Sequence, residues 1–158
     1  MILSAFTLLH VLISLVAIGT GLIVLYGMLT GHRFDGWTGV FLSTTVLTSV
    51  TGFMFPIHKF TPGLGVGILS MVLLAIAIAA RYRLDWPKTY VVTSILSLYF
   101  NVFVLIVQLF QKVPALKELA PTQSEPPFAI TQLSVLVLFL ACIVMAVMRT
   151  RSGVLKTA

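Results

Sequence analysis

Charge is what this sequence has least of: 9% of its 158 residues are Asp, Glu, Lys or Arg, while 59% are hydrophobic. A soluble domain carries about 25% charged residues. So few charges cannot coat a water-soluble chain of this length, and a mean hydropathy of +1.11 says the same. A lipid exterior removes the difficulty, because a bilayer solvates apolar side chains. Acidic residues are scarcest, with four against ten Lys and Arg, giving a net charge of +6. The basic residues fall between apolar runs and form no patch, which speaks for a membrane surface and against nucleic acid.

Cysteine is nearly absent. Cys142 alone excludes an intrachain disulfide and a cysteine-based metal site, and it reads as a small buried hydrophobe. Catalytic signatures are missing too: there is no HExxH, GxSxG or Walker pattern, and GLGVG at 63–67 follows no strand. The apolar runs hold no Asp or Glu, which argues against a carboxylate-driven ion pump.

What the sequence does have is long apolar runs. A spanning helix needs about 20 apolar residues. Five runs meet or approach that length: 2–29, 39–57, 63–80, 90–110 and 128–148. They predict an all-α, polytopic membrane helix bundle forming a single domain of about five transmembrane helices. The first run lacks the basic start of a secretory signal and is too long for one, so it is expected to remain as a span.

Orientation follows from Lys and Arg. With the N-terminus outside and the C-terminus inside, the inner segments hold Arg33, Arg81, Arg83, Lys88, Arg149, Arg151 and Lys156. The outer ones hold only Lys59, Lys112 and Lys117. The positive-inside rule favours this arrangement, and Trp37, Tyr82 and Trp86 fall at the inner interface, where amphipathic rings prefer to sit. Asp35 and Asp85 lie beside arginines in inner loops and read as solvated pairs. The longest connection, 111–127, is then outside. VPALKELA within it can form a helical turn or two, whereas Pro121, Pro126 and Pro127 are expected to stop a helix in PTQSEPP. The segment is a linker or a lid over the helix ends.

Polar residues in hydrocarbon normally face the bundle interior. At 100° per residue, Thr44, Thr48 and Thr51 share a face of the second span, and Ser94, Ser97, Asn101 and Gln108 share one on the fourth. Thr7, His10 and Ser14 do so on the first. These stripes are expected to glue helices together, and Gly19, Gly21, Gly63, Gly65 and Gly67 to let backbones approach. Counted by depth, His10, His58, Gln108 and Gln132 collect near the outer side, with Asn101 deeper, so an outer-side pocket is expected there.

STTVLTSVTGFMFPIHKFTP, with APTQSEPPF later, resembles segments of small multi-span bacterial inner-membrane proteins. The resemblance implies an inner-membrane setting and assigns no residue roles. Three functions are compatible with these features. The first is an accessory or structural subunit of a membrane complex, with lipid, partner proteins or a second copy as its company. The second is an outer-side haem or quinone site, with His10 and His58 as axial ligands. The third is a small transporter or channel built by oligomerisation.

Overall fold

Four of the helices open on proline. A proline in the first turn costs nothing, because its missing N–H would be unpaired there and its φ is already helical. The computed structural model describes residues 2–55 and 62–151. Within them it has six helices: α1 Ile2–Thr30, α2 Asp35–Phe53, α3 Pro62–Tyr82, α4 Pro87–Lys112, α5 Pro114–Leu119 and α6 Pro126–Arg151. Pro126 and Pro127 thus begin a helix instead of stopping one. They lengthen the last apolar run, and Pro62 and Pro87 do the same for the third and fourth.

Four helices are long and apolar enough to cross a membrane: α1, α3, α4 and α6. α2 is 19 residues long, and its hydroxyl residues and Asp35 dilute its apolar character. Even so, it packs along α1 as an antiparallel hairpin. Gly27 meets Phe34 at one end of the pair and Gly21 meets Phe41 midway. At the other end His10 meets Thr51 and Phe6 meets Phe55. The reversal is sharp because Gly31, at φ 80, adopts the left-handed conformation after the last turn of α1. The His32 N–H then bonds back to Gly27 O at 2.9 Å, which satisfies a terminal carbonyl.

The α3–α4 hairpin closes in a similar way. The N–H groups of Arg83 and Leu84 both reach Ala79 O at 3.0 Å, Trp86 N–H reaches Ala80 O at 2.9 Å, and Asp85 takes φ 50. Arg81 is thereby set opposite Tyr90, with its guanidinium carbon 4.9 Å from the ring centroid.

α4 is the hub of the bundle. Half of its span is buried, against 22–33% for α1, α3 and α6, and it touches α1, α3, α5 and α6. Its inward residues Val91, Ile95 and Leu98 pack with Phe41 and Leu74, all below 2% exposed. Ser94 and Ser97 share that face and are fully buried. α6 runs antiparallel to α4, joined through Tyr99–Phe139 and Phe110–Phe128 ring contacts at 5.6 and 5.3 Å. α5 and the segment after it fold over this far end, where Ala120 packs with Ile106 and Phe110.

The outward faces stay apolar. Leu12, Leu15 and Leu22 of α1, and Ile130, Val137, Val144 and Met148 of α6, are all at least 47% exposed.

The glycines divide by what surrounds them. A Cβ on Gly21 would lie 2.5 Å from Leu98 Cδ1 and 2.8 Å from Phe41 Cε2, so three helices meet there only because the side chain is absent. Gly67 sits against the Phe53 ring. Gly19, expected to pack, has nothing within 4 Å and faces outward.

Candidate functional site

At the end of the bundle away from the arginines, His10 Nδ1 lies 2.7 Å from Thr51 Oγ1. The Thr51 hydroxyl donates its one proton to Leu47 O at 2.7 Å. With that proton on Leu47 O the hydroxyl accepts from His10, and a neutral imidazole then carries its proton on Nδ1 and keeps Nε2 bare. Phe55 closes on the imidazole edge-to-face at 5.3 Å.

The other residues expected at this level hold to other groups. Gln132 is buried and donates from Nε2 to Phe103 O at 3.2 Å, linking α6 to α4. Gln108 is half-buried on α4. His58 lies outside the described residues. As helix glue, the His10–Thr51 bond resembles other interhelical bonds in membranes, which are worth about 0.6 kcal/mol and at most about 1.7. His10→Leu is expected to lower stability by about 1 kcal/mol. Adding Thr51→Ala to it should cost little more, as a thermal-unfolding double-mutant cycle in detergent will read.

Thr48, Ser70 and Asn101 lie on α2, α3 and α4. A buried polar atom of each, Thr48 Oγ1, Ser70 Oγ and Asn101 Nδ2, has no hydrogen-bond partner within the chain. The expected Thr stripe proves to flank the packed face of α2. The buried residues there are Thr38, Phe41, Leu42, Thr45 and Ser49, while Thr44, Thr48 and Thr51 are half-buried. Thr44 bonds Val40 O, Ser94 bonds Tyr90 O and Ser97 bonds Thr93 O, at 2.7, 2.5 and 2.9 Å. Each of these hydroxyls serves its own helix, four residues back.

The segment before α6 has its own polar knot. Glu125 accepts from the Thr122 hydroxyl at 2.8 Å and from the N–H groups of Thr122 and Ser124. Gln123, at φ 60, reaches across to donate to Val107 O of α4 at 2.8 Å. Slight desolvation pushes the Glu125 carboxyl up. The Thr122 hydroxyl and the N–H groups of Glu125, Thr122 and Ser124 outweigh it and hold the pKa below the ordinary glutamate value. A lowered folded-state pKa means the knot is fully formed above the ordinary value and is lost as pH falls through the lowered one. A carbon-13 titration of Glu125 should therefore show a midpoint below that of an exposed glutamate, and Thr122→Val should move it back up.

The densest polar cluster lies at the other end, where the α1–α2 and α3–α4 turns meet. Asp35, opening α2, pairs with Arg81 of α3 and lies 3.7 Å from Arg33. Asp35 was expected to serve a solvated loop pair; it instead ties two hairpins together across the bundle. The Arg81 side chain is only 14% exposed, against 59% for Asp35. Its guanidinium lies over the Tyr90 ring and 5.6 Å from the Tyr82 centroid. These groups line a cavity of about 80 Å³ whose polar wall includes His32, Thr38 and Asp85 and whose apolar floor is Val24, Met28, Ala80 and Val91. Two buried donors there have no partner in the chain: Arg81 Nε–H and the Tyr90 hydroxyl.

Sequence reasoning did not find this cluster. The signal was present in the short Arg83–Trp86 connection, which sets position 81 opposite position 90 once α3 and α4 are paired. No family model, curated protein or solved structure matches the chain. Among the described residues, no group of three or more His, Cys, Asp or Glu could hold a metal ion.

Proposed function

We propose that the chain is a five-span integral protein of the bacterial inner membrane, N-terminus outside and C-terminus inside, acting as an accessory or structural subunit of a membrane complex. The fifth crossing is α2. Its 19 residues extend about 28 Å at 1.5 Å per residue, close to the hydrocarbon thickness of about 30 Å. Its pairing along α1 from Phe34 to Phe55 supports the same depth for both helices.

The observation that carries the accessory reading is how the polar groups are used. Arg81–Asp35, His10–Thr51 and Gln132–Phe103 each join one helix to another. Meanwhile α6 turns a long apolar face outward. On that face Ile130, Ser134, Val137, Ala141, Val144 and Met148 alternate four and three residues apart. That spacing makes a straight seam, and the small Ser134 and Ala141 allow a partner helix to approach. Purification in mild detergent followed by native mass spectrometry should recover a partner subunit or a second copy. A lone monomer at every detergent concentration would overturn the reading.

One observation favours a second reading, an axial haem ligand at His10. An imidazole whose Nδ1–H is held by a neighbour and whose Nε2 is bare has the preparation that ligating histidines use. A Soret band after haem-replete expression, lost in His10→Leu, would establish it. A quinone at the same end would instead appear in the extracted lipids without that band.

A further inference from the structure

The cavity among the arginines contains more donors than the chain satisfies. Asp35 takes a terminal nitrogen of the Arg81 guanidinium. Arg81 Nε–H is left buried and unpaired, and so is the hydroxyl of Tyr90, a residue 7% exposed. A buried donor without an acceptor costs about 1–3 kcal/mol, so a pair of them lining one cavity marks a place for an acceptor. The first turns of α2 and α4 border the same cavity without side-chain caps, which adds the partial positive charge of helix N-termini. About 80 Å³ admits a small polyatomic group.

The geometry points to a phosphate site in this cavity, with phosphate oxygens accepting from Arg81 Nε–H and the Tyr90 hydroxyl, and with a membrane phospholipid as the source. Arginine is suited to this because its planar fork presents Nε–H and terminal N–H groups to different acceptors at once.

Charge selects the source. Arg33 and Arg81 in the lining are balanced by Asp35 and Asp85. A lipid phosphodiester, with one negative charge, is repelled less by these aspartates than free phosphate, which carries about 1.5 to 2 at neutral pH. Surroundings agree. Trp37, Tyr82 and Trp86 are 47%, 59% and 54% exposed around this end, as rings at a headgroup layer are, and Arg83 and Lys88 add cations beside them. The inference rests on α2 crossing the membrane, because only then do the two turns that line the cavity lie together at one interface, and not on the accessory role.

The test uses the full chain in detergent, titrated with short-chain phosphatidylglycerol, short-chain diacylglycerol or inorganic phosphate, and followed by phosphorus NMR and by thermal protection. Phosphatidylglycerol should bind and protect, and diacylglycerol should do neither. Tyr90→Phe, which removes one buried hydroxyl that makes no hydrogen bond of normal geometry within the chain, should weaken lipid binding about tenfold, the loss of about one hydrogen bond to a charged group. Arg81→Lys keeps the charge for Asp35 and should weaken it similarly, while Tyr99→Phe, on the same helix, should not. Should Arg81→Lys fail to fold, Tyr90→Phe still decides.

Protection by inorganic phosphate alone, sensitive to Tyr90→Phe, would keep the phosphate chemistry and overturn the lipid source. Binding of phosphatidylglycerol that is equal in wild type, Tyr90→Phe and Arg81→Lys would overturn the site and leave water as the occupant. A lone monomer that still binds in a Tyr90-dependent way would overturn the accessory reading and not the site.

Discussion

Gly21→Leu should prevent the bundle from assembling, whereas Gly19→Leu, two residues away, should leave it stable. At Gly21 a single added carbon already comes within 3 Å of both Leu98 and Phe41. Neither neighbour has room to retreat, because each is 1% exposed at the junction of α1, α2 and α4. Overpacking a filled core costs about 1–3 kcal/mol, and more when the backbone must move. Gly21→Ala should fall in that range. Leucine adds three further carbons and should exceed about 3 kcal/mol, a large part of the 5–15 kcal/mol that holds a typical domain together. Gly19 has open space where its side chain would be, so leucine there simply adds outward apolar surface. Thermal unfolding of both variants in one detergent measures the difference directly. Comparable destabilisation by the two would mean that α1 is rotated from the orientation described.

The second large effect concerns Arg81 and Asp35. Asp35→Ala leaves a mostly buried guanidinium with only the faces of Tyr82 and Tyr90 beside it. Exposed ion pairs are worth about 0.2–1 kcal/mol, and breaking a buried one costs about 3–5. This pair is mixed, with one partner covered and the other largely in solvent, so a loss of about 2 kcal/mol is expected. Arg81→Met should cost less, because it removes the covered charge and its unpaired Nε–H and leaves only the exposed Asp35, although it gives up cation–π contacts worth about 0.5–2 kcal/mol. The double variant should be less unstable than the two losses summed. A coupling near zero would place the pair with ordinary surface contacts. Salt discriminates further: a coupling carried by a covered arginine should survive 1 M salt, where exposed pairs are screened within about 3 Å.

The helices were legible because lipid demands long uninterrupted apolar runs, and little but a helix satisfies a backbone in hydrocarbon. Their ends were harder to place. Proline was read as a terminator at 126 and 127, although in a first turn it starts a helix. On α2 the most buried face lies beside the Thr stripe, which still meets α1 through Thr51 and His10. A threonine that bonds the carbonyl four residues back needs no inward partner, so Thr44 can lie on the flank while Thr45 is fully buried. Hydroxyls thus say little about which side of a membrane helix faces in. Glycine is equally ambiguous in sequence, as Gly19 and Gly21 show.

The polar cluster around Arg81 depends on pairing across two hairpins. Asp35 and Arg81 are 46 residues apart, and only the two short turns bring them together. From sequence, Asp35 had a nearer arginine at position 33 and no reason to look further. The His10 bond to Thr51 likewise needed the hairpin register.

The central claim is that α2 crosses the membrane with α1, so that the Arg33–Asp35 and Arg83–Trp86 turns share one side. Single cysteines introduced by Gly36→Cys, Leu84→Cys or Glu118→Cys, in a chain carrying Cys142→Ala, test it with an impermeant thiol reagent on intact cells. All three positions are exposed. Five crossings predict that Glu118→Cys labels from outside, while Gly36→Cys and Leu84→Cys label only after the membrane is opened. Labelling of the 36 and 84 positions from opposite sides would mean that α2 does not cross, and would contradict the account.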